Sequence, residues 1–374
     1  MNGKKFTDSV DYNCLKQASE KAKEQKLLSV LYCAAEDSFK AVFPSDEYEK
    51  LQKNVFISTV SQMQRTAELV RVCRILESSG TNYIVFKGAV LRAMYKNSDY
   101  RISSDEDLLL RDCDISAAVE LLCGNGYEIA SDKGGEIKLV NRKLKSVLEL
   151  HSSVAPDDLG RYSEINSALN SQLDSPVRLN IGTGEVNTFS PTYGFLSLCV
   201  HFYNHFVLSG IGIRQVMDIA CFYKNYSDKI DFEYVFSLLE KIRAEKLIKS
   251  VLAIGAEYFE IDYHGENGVS EKLLEELFEA GIYGTSGADR VHSGALTAEL
   301  AKKGSGTIGS LASTLFPSKE SVVKNHPELE GKNSEINKYR FRRIVKFAGG
   351  GGKLKTFSYA EKRKKLLKEL DIID

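Results

Sequence analysis

Apolar residues recur at helical spacing up to Gly80. Leu27, Leu28, Val30, Leu31 and Cys33 form one stripe, and Val60, Met63, Leu69, Val70, Val72, Ile75 and Leu76 another. The spacing predicts helices from Asp11 to about Ser79, divided at Pro44, with Ser45-Asp46-Glu47 as a cap region. At Gly80 the pattern changes. Tyr83-Ile84-Val85-Phe86 is a short β-branched and aromatic run closed by Lys87-Gly88, and Ala89 to Tyr95 reads as a helix. Further strands are predicted over Asp105 to Leu110, Tyr127 to Ala130, Ile137 to Asn141 and Ser146 to His151, with a helix from Ile115 to Cys123 that stops at Gly124-Asn125-Gly126. Val177 to Ile181 and Glu185 to Phe189 read as a hairpin about Gly182-Thr183-Gly184. After Pro191 helices return over Tyr193 to Phe206, Arg214 to Tyr226, Phe232 to Ala244 and Lys246 to Phe259. Gly265 to Ser310 reads as an exposed, loop-rich stretch, and a basic helix closes the chain from about Tyr359 to Leu370. The order predicts an α+β fold in three parts: a helical region over 1–79, a core with a short mixed sheet over 80–190, and a helical region with a basic tail over 191–374.

Composition narrows the class. Of 374 residues, 43% are hydrophobic and 27% charged, values that support an ordinary buried core. The net charge of −1 gives the molecule as a whole no attraction to nucleic acid or anionic lipid, so local patches must carry any such contact. Seven cysteines without CxxC spacing read as reduced thiols. The chain begins without the apolar segment of a signal sequence and contains no apolar run of about 18 residues, so the expectation is a soluble, cytoplasmic protein with no membrane partner.

The chemistry lies in Phe86 to Leu110. Residues at i and i+2 of a strand share a face, so Asp105 and Asp107 are expected to project together, with Glu106 on the other side. Two convergent carboxylates suit a hard cation such as magnesium, which completes its shell with water and substrate phosphate. Gly88, at the turn from strand to helix, is expected to let backbone amides approach a phosphate, with Lys87 and Arg101 adding positive charge. Glu149 is polar within the apolar run Val147 to Leu150, and His151 shares its strand face.

A glycine turn, a helix and a strand bearing Asp-x-Asp together resemble the nucleotidyltransferases of the DNA polymerase beta superfamily, over roughly Gly80 to Phe189. Lys87-Gly88, Arg101, Ser103, Asp105 and Asp107 are similar to the motif of a group of uncharacterised bacterial nucleotidyltransferases, and to the R-x-S-x-D-x-D run of abortive-infection nucleotidyltransferase toxins. His201 with His205, and Gly212-Ile213-Arg214 with Asp218, resemble helical patterns of the same bacterial group. The resemblance implies transfer of a nucleoside monophosphate from a nucleoside triphosphate, ATP among them, to an acceptor hydroxyl with release of pyrophosphate. It implies magnesium or manganese held by Asp105, Asp107 and Glu149, and nucleotide contacts from Lys87, Gly88, Arg101, Ser103 and Arg214. His151, His201, His205 and Asp218 would line the cleft or meet the acceptor, which is a protein, an RNA or a small molecule. Two positions depart from the superfamily pattern: Ala89, where a serine or second glycine is usual, and Glu106, where an apolar residue is usual.

Plainer readings stand beside these. His201 and His205 also read as structural histidines facing the core, Arg214 and Asp218 as an intrahelical ion pair, Glu149 as a partner of Arg101, and Ser103 as a strand-edge hydroxyl. From Arg340 to Lys368 there are eleven Lys or Arg residues and one Glu, interleaved with aromatic residues, which reads as an RNA contact or as a solvated helical face. The alternative function is a catalytically inactive nucleotide- or RNA-binding protein on the same fold.

Overall fold

The computed structural model describes residues 10–132, 135–155, 160–208, 210–265, 270–280 and 362–373. Three helices come first: α1 (Tyr12–Glu24), α2 (Leu28–Val42) and α3 (Ser45–Ser78). Asp11 caps α1 by accepting from the Cys14 amide at 2.8 Å. Then follow β1 (Tyr83–Phe86), α4 (Gly88–Arg92), β2 (Glu106–Leu110), α5 (Asp112–Cys123), β3 (Glu128–Asp132), β4 (Glu136–Asn141) and β5 (Ser146–His151). The remaining elements are α6 (Ser163–Asn170), β6 (Val177–Asn180), β7 (Glu185–Thr188), α7 (Pro191–Leu208), α8 (Ile213–Tyr226), α9 (Phe232–Lys241), α10 (Glu245–Phe259) and α11 (Glu271–Ala280), with a further helical stretch over 362–369.

The main sheet has the order β1-β2-β5-β4-β3; β2 and β5 run parallel and the other neighbours antiparallel, so the sheet is mixed and the fold α+β, as expected. One face carries the core. Leu108, Leu110, Leu139, Leu148 and Leu150 pack with Leu69, Val72 and Leu76 of α3 and Ala118 and Leu122 of α5. The expected hairpin forms from β6 and β7.

Residues Met1–Phe202 with Arg214–Val269 form one compact unit, and Tyr203–Ile213 with Ser270–Asp374 a second. In the second, Leu273, Leu277, Leu366 and Leu367 are buried, and Arg363 pairs with Glu276 at 2.5 Å. Two expectations change. The stretch after Gly265 contains α11, because Leu273 and Leu277 lie one helical turn apart and are fully buried, which outweighs the glycine and serine content around them. The strand expected to begin at Asp105 begins at Glu106. Of the basic stretch 340–368, residues 340–361 lie outside the described residues, as do residues 281–310 of the stretch expected to be loop-rich.

The turn from β1 into α4 depends on a buried charge. Glu106 faces the core side of β2 and accepts from the Ala89 amide at 3.0 Å, while Arg92, only 2% exposed, meets its other oxygen at 2.7 Å. Ser103 Oγ donates to Glu106 at 3.3 Å and itself accepts from Arg92. The two departures from the superfamily pattern are therefore one feature: a glutamate carboxylate occupies the amide that a phosphate was expected to meet. Gly88 is required because a Cβ there would strike Glu106 Oε2 and stand 3.2 Å from the Asp105 carbonyl. With Glu106 held by three donors, neither side can yield. Gly88→Ala should therefore lower stability by about 2–4 kcal/mol and Glu106→Gln, which leaves Arg92 buried without its counter-charge, by about 3–5 kcal/mol. Urea denaturation checks both, and an unchanged midpoint in Gly88→Ala would show that Glu106 is not held.

Candidate active site

Strand register places the candidate groups. Asp107 of β2 pairs with Glu149 of β5, which pairs in turn with Lys138 of β4, so the three side chains stand on one face of the sheet, opposite the core face. His151, two residues beyond Glu149, shares that face. One ligand atom from each of Asp107, Glu149 and His151 lies within 4.8 Å of the others, the arrangement in which a single cation can be held.

Each carboxylate has its own counter-charge. The Lys87 ammonium is 2.7 Å from Asp107 Oδ1, and His151 Nε2 is 3.1 Å from the same oxygen. Burial opposes a charge on Asp107, yet the attraction of Lys87 and of His151 outweighs it and holds the carboxyl down at about 2. Glu149 meets Lys138 at 2.6 Å. Here burial wins: together with the negative charges of Asp107 and Asp105 it raises the Glu149 carboxyl above its ordinary range in spite of Lys138. Asp105, half-buried just before β2, accepts from Ser104 Oγ at 3.2 Å and lies outside the three-ligand group.

Lys87 carries backbone strain. Its φ of 61° and ψ of −114° belong to a region that glycine favours, and such strain costs about 1–3 kcal/mol. The strained turn delivers its ammonium over the Phe86 ring at 4.9 Å and within 3.5 Å of His201 Nδ1. Phe86 also meets the His151 ring edge-on, with centroids 5.4 Å apart. Behind the turn, Arg101 makes a two-pronged pair with Asp218 of α8 at 2.6 and 2.7 Å and donates to the Gly88 carbonyl at 3.4 Å. Tyr95 donates to Asp218 at 2.7 Å. Arg101 holds the Asp218 carboxyl below its ordinary range against the effect of burial.

These contacts redistribute the expected roles. Arg101, only 4% exposed and committed to Asp218, supports the Lys87-Gly88 turn from behind rather than facing a phosphate. Asp218 is buried and pairs with Arg101 rather than with Arg214, whose Nη1 donates to the Ile102 carbonyl at 2.8 Å. Glu149 pairs with Lys138 and not with Arg101. Ser103 is buried in the Arg92–Glu106 network, and its amide donates to Gln62 Oε1 at 2.8 Å. The Gly88 turn offers no free Ala89 amide to a phosphate. His201 stands beside Lys87, whereas His205 belongs to the second unit, where its carbonyl accepts from Gly210 at 2.8 Å. Neither histidine enters a group of three candidate metal ligands among the described residues. Lys138 and the strain at Lys87 went unseen in the sequence. A lysine between the apolar Ile137 and Leu139 was the signal for the first; nothing local marks the second.

A family model described as uncharacterised nucleotidyltransferase matches residues 16–260, more than half of the chain. No curated protein matches. Among the described residues no helix is long and apolar enough to cross a membrane. A mixed sheet that brings Asp107 and Glu149 side by side, reached by a Lys-Gly turn, lies inside the matched span, and the chain belongs to the uncharacterised nucleotidyltransferase family.

Proposed function

We propose that the protein is a divalent-metal-dependent nucleotidyltransferase that moves a nucleoside monophosphate from a nucleoside triphosphate to an acceptor hydroxyl and releases pyrophosphate. The observation that carries this reading is the convergence of Asp107, Glu149 and His151 beside the Lys87 ammonium. The donor set fits: two carboxylates suit magnesium or manganese, and the three ligand atoms lie within 4.8 Å of one another, close enough for one cation to reach all three. Asp107 and Glu149 would hold the cation, His151 would add a nitrogen or keep Asp107 oriented, and Asp105 stands just before β2 beside them. A cation bound there neutralises triphosphate charge and polarises the α-phosphate.

The chain's own groups do the rest. Lys87, drawn off Asp107, meets a phosphate oxygen. Glu149, held above the ordinary carboxylate range, takes the proton of the acceptor hydroxyl as its oxygen bonds to the α-phosphorus. The bond from that phosphorus to the bridging oxygen breaks, and pyrophosphate leaves with the oxygen. Arg101, Asp218 and Ser103 act by holding the turn and the strand that carry Lys87 and Asp107. The acceptor hydroxyl belongs to a protein side chain, an RNA end or a small molecule.

Glu149→Gln keeps the shape and removes the base, so pyrophosphate release should fall by about 10²- to 10⁴-fold while the fold survives. Near-normal release in that variant rules out Glu149. Nucleoside triphosphate with magnesium or manganese should stabilise the protein by about 2.7 kcal/mol at a hundredfold excess over Kd, and Asp107→Asn should abolish the metal-dependent part. A shift of that kind in the parent chain with no pyrophosphate released in the presence of cell lysate favours the inactive nucleotide-binding alternative.

The two carboxylates also respond to pH with opposite sign in the metal-free protein. Asp107, held at about 2 against an ordinary 3.8, contributes about 2 kcal/mol that is present above about pH 4 and lost as pH falls through about 2. Glu149, raised above 4.5, favours the folded state only while protonated, and that contribution is lost as pH rises through its raised value. With EDTA present, Asp107→Asn should be less stable than the parent at neutral pH, with the gap closing towards pH 2, and Glu149→Gln should be at least as stable as the parent. Chemical denaturation across the acid range reads both, and a Glu149→Gln protein that loses stability at neutral pH would contradict the repulsion described here.

A further inference from the structure

Three cations from separate helices or their ends converge on one short loop. Arg214 Nη1 donates to the Ile102 carbonyl at 2.8 Å, Arg65 Nη1 to the Ser103 carbonyl at 2.5 Å, and Lys26 Nζ to Ser104 Oγ at 3.3 Å. Neutral donors would satisfy these oxygens, and three like charges gathered on three consecutive residues repel one another. Their closeness shows at Lys26, whose ammonium is pushed below its ordinary value by burial and then by Arg214, with Arg65 and Arg101 adding to the effect and Asp105 opposing it. Donors also outnumber acceptors. The Nε of Arg65, the Nε of Arg214 and the Nε2 of Gln62 are buried and have no hydrogen-bond acceptor among the described residues. Arg214 is 4% exposed, so its unmet N–H is not relieved by water at the surface.

A second observation is independent of charge. Lys26 sits in the left-handed region, with φ of 52°, at the junction between α1 and α2. Glycine adopts that conformation freely and a lysine resists it. The fold thus holds a long cationic side chain at a position where a smaller residue would be more stable, and aims it at Ser104.

We propose that Lys26, Arg65 and Arg214, with Gln62, form a polyphosphate site at the Ile102 to Asp105 loop, which takes the β- and γ-phosphates of the nucleotide and then the released pyrophosphate. Acceptor-rich, multiply charged phosphate matches a cluster of cations with unmet N–H groups, and guanidinium is the side chain best suited to it. The loop runs directly into Asp105 and Asp107, so a chain of phosphates seated on it leads to the metal-binding face. The N-terminal helices thereby become part of the nucleotide site, since Lys26 follows α1 and both Gln62 and Arg65 lie on α3. The identity of the ligand's source rests on the nucleotidyltransferase reading, whereas the binding of polyphosphate does not.

Titration calorimetry of inorganic pyrophosphate into the full chain in EDTA tests it. The parent protein should bind pyrophosphate more tightly than inorganic phosphate, and Lys26→Gly and Arg65→Met should each weaken pyrophosphate binding at least tenfold. Lys26→Gly should melt at the same or a higher temperature than the parent, because it relieves the backbone; a purely structural lysine predicts a lower one. Asp107→Asn should retain pyrophosphate binding in EDTA, so a protein that binds pyrophosphate but releases none from nucleotide leaves this site standing while the catalytic reading falls. Absence of binding in the parent, or parent-like affinity in both cation variants, overturns the proposal. So does a single-stranded RNA without terminal phosphates that displaces pyrophosphate and loses its own affinity in the same variants, since the site would then hold an RNA backbone.

Discussion

Two carboxylates on neighbouring strands, about 5 Å apart, repel each other by about 3 kcal/mol at the effective dielectric of a protein interior, and Asp107 and Glu149 are held in that relation by the parallel pairing of β2 with β5. A fold that buries such a pair must supply positive charge from outside the two strands. Lys138 arrives across the sheet from β4, and Lys87 arrives from a turn whose backbone is strained into a glycine-like conformation. The unequal outcome, with Asp107 pulled down and Glu149 pushed up, follows from which counter-charge overcomes burial. In the proposed reaction that difference suits Asp107 to stay ionised beside a cation and Glu149, a ligand as well, to accept a proton.

The strained turn is fixed from two sides. In front, Glu106 takes the Ala89 amide and is balanced by Arg92 in a space that only glycine at position 88 leaves open. Behind, Arg101 ties the Gly88 carbonyl to Asp218 on α8. A buried ion pair of this kind adds little net stability against a well-packed apolar alternative, but it leaves a high cost for any rearrangement, which suits a turn that must hold one lysine in one place. Because the Ala89 amide is already bonded to Glu106, the proposed phosphate contacts rest on side chains, those around the Ile102 to Asp105 loop among them.

The sequence by itself determined the order of the strands from β1 to β7 and the helices α4 and α5 among them, but not α6, because strand and helix periodicities with glycine and proline breaks are local properties. It also singled out Lys87-Gly88, Asp105, Asp107 and Glu149, since charged residues inside apolar strand runs stand out without any knowledge of neighbours. It missed α11 within the stretch expected to be loop-rich, because the glycine and serine content around it masked the buried leucine spacing. What only the tertiary structure decided is which charge answers which. Arg101 meets Asp218 across 117 residues and Lys87 meets His201 across 114, so no window of the chain contains both partners. Lys26 between α1 and α2, and Gln62 and Arg65 on α3, lay in no motif, and they meet Ser103 and Ser104 only in the folded chain. Coulomb attraction and burial act through space, whereas periodicity acts along the chain, and the assignment of roles among the charged residues therefore waited for the fold.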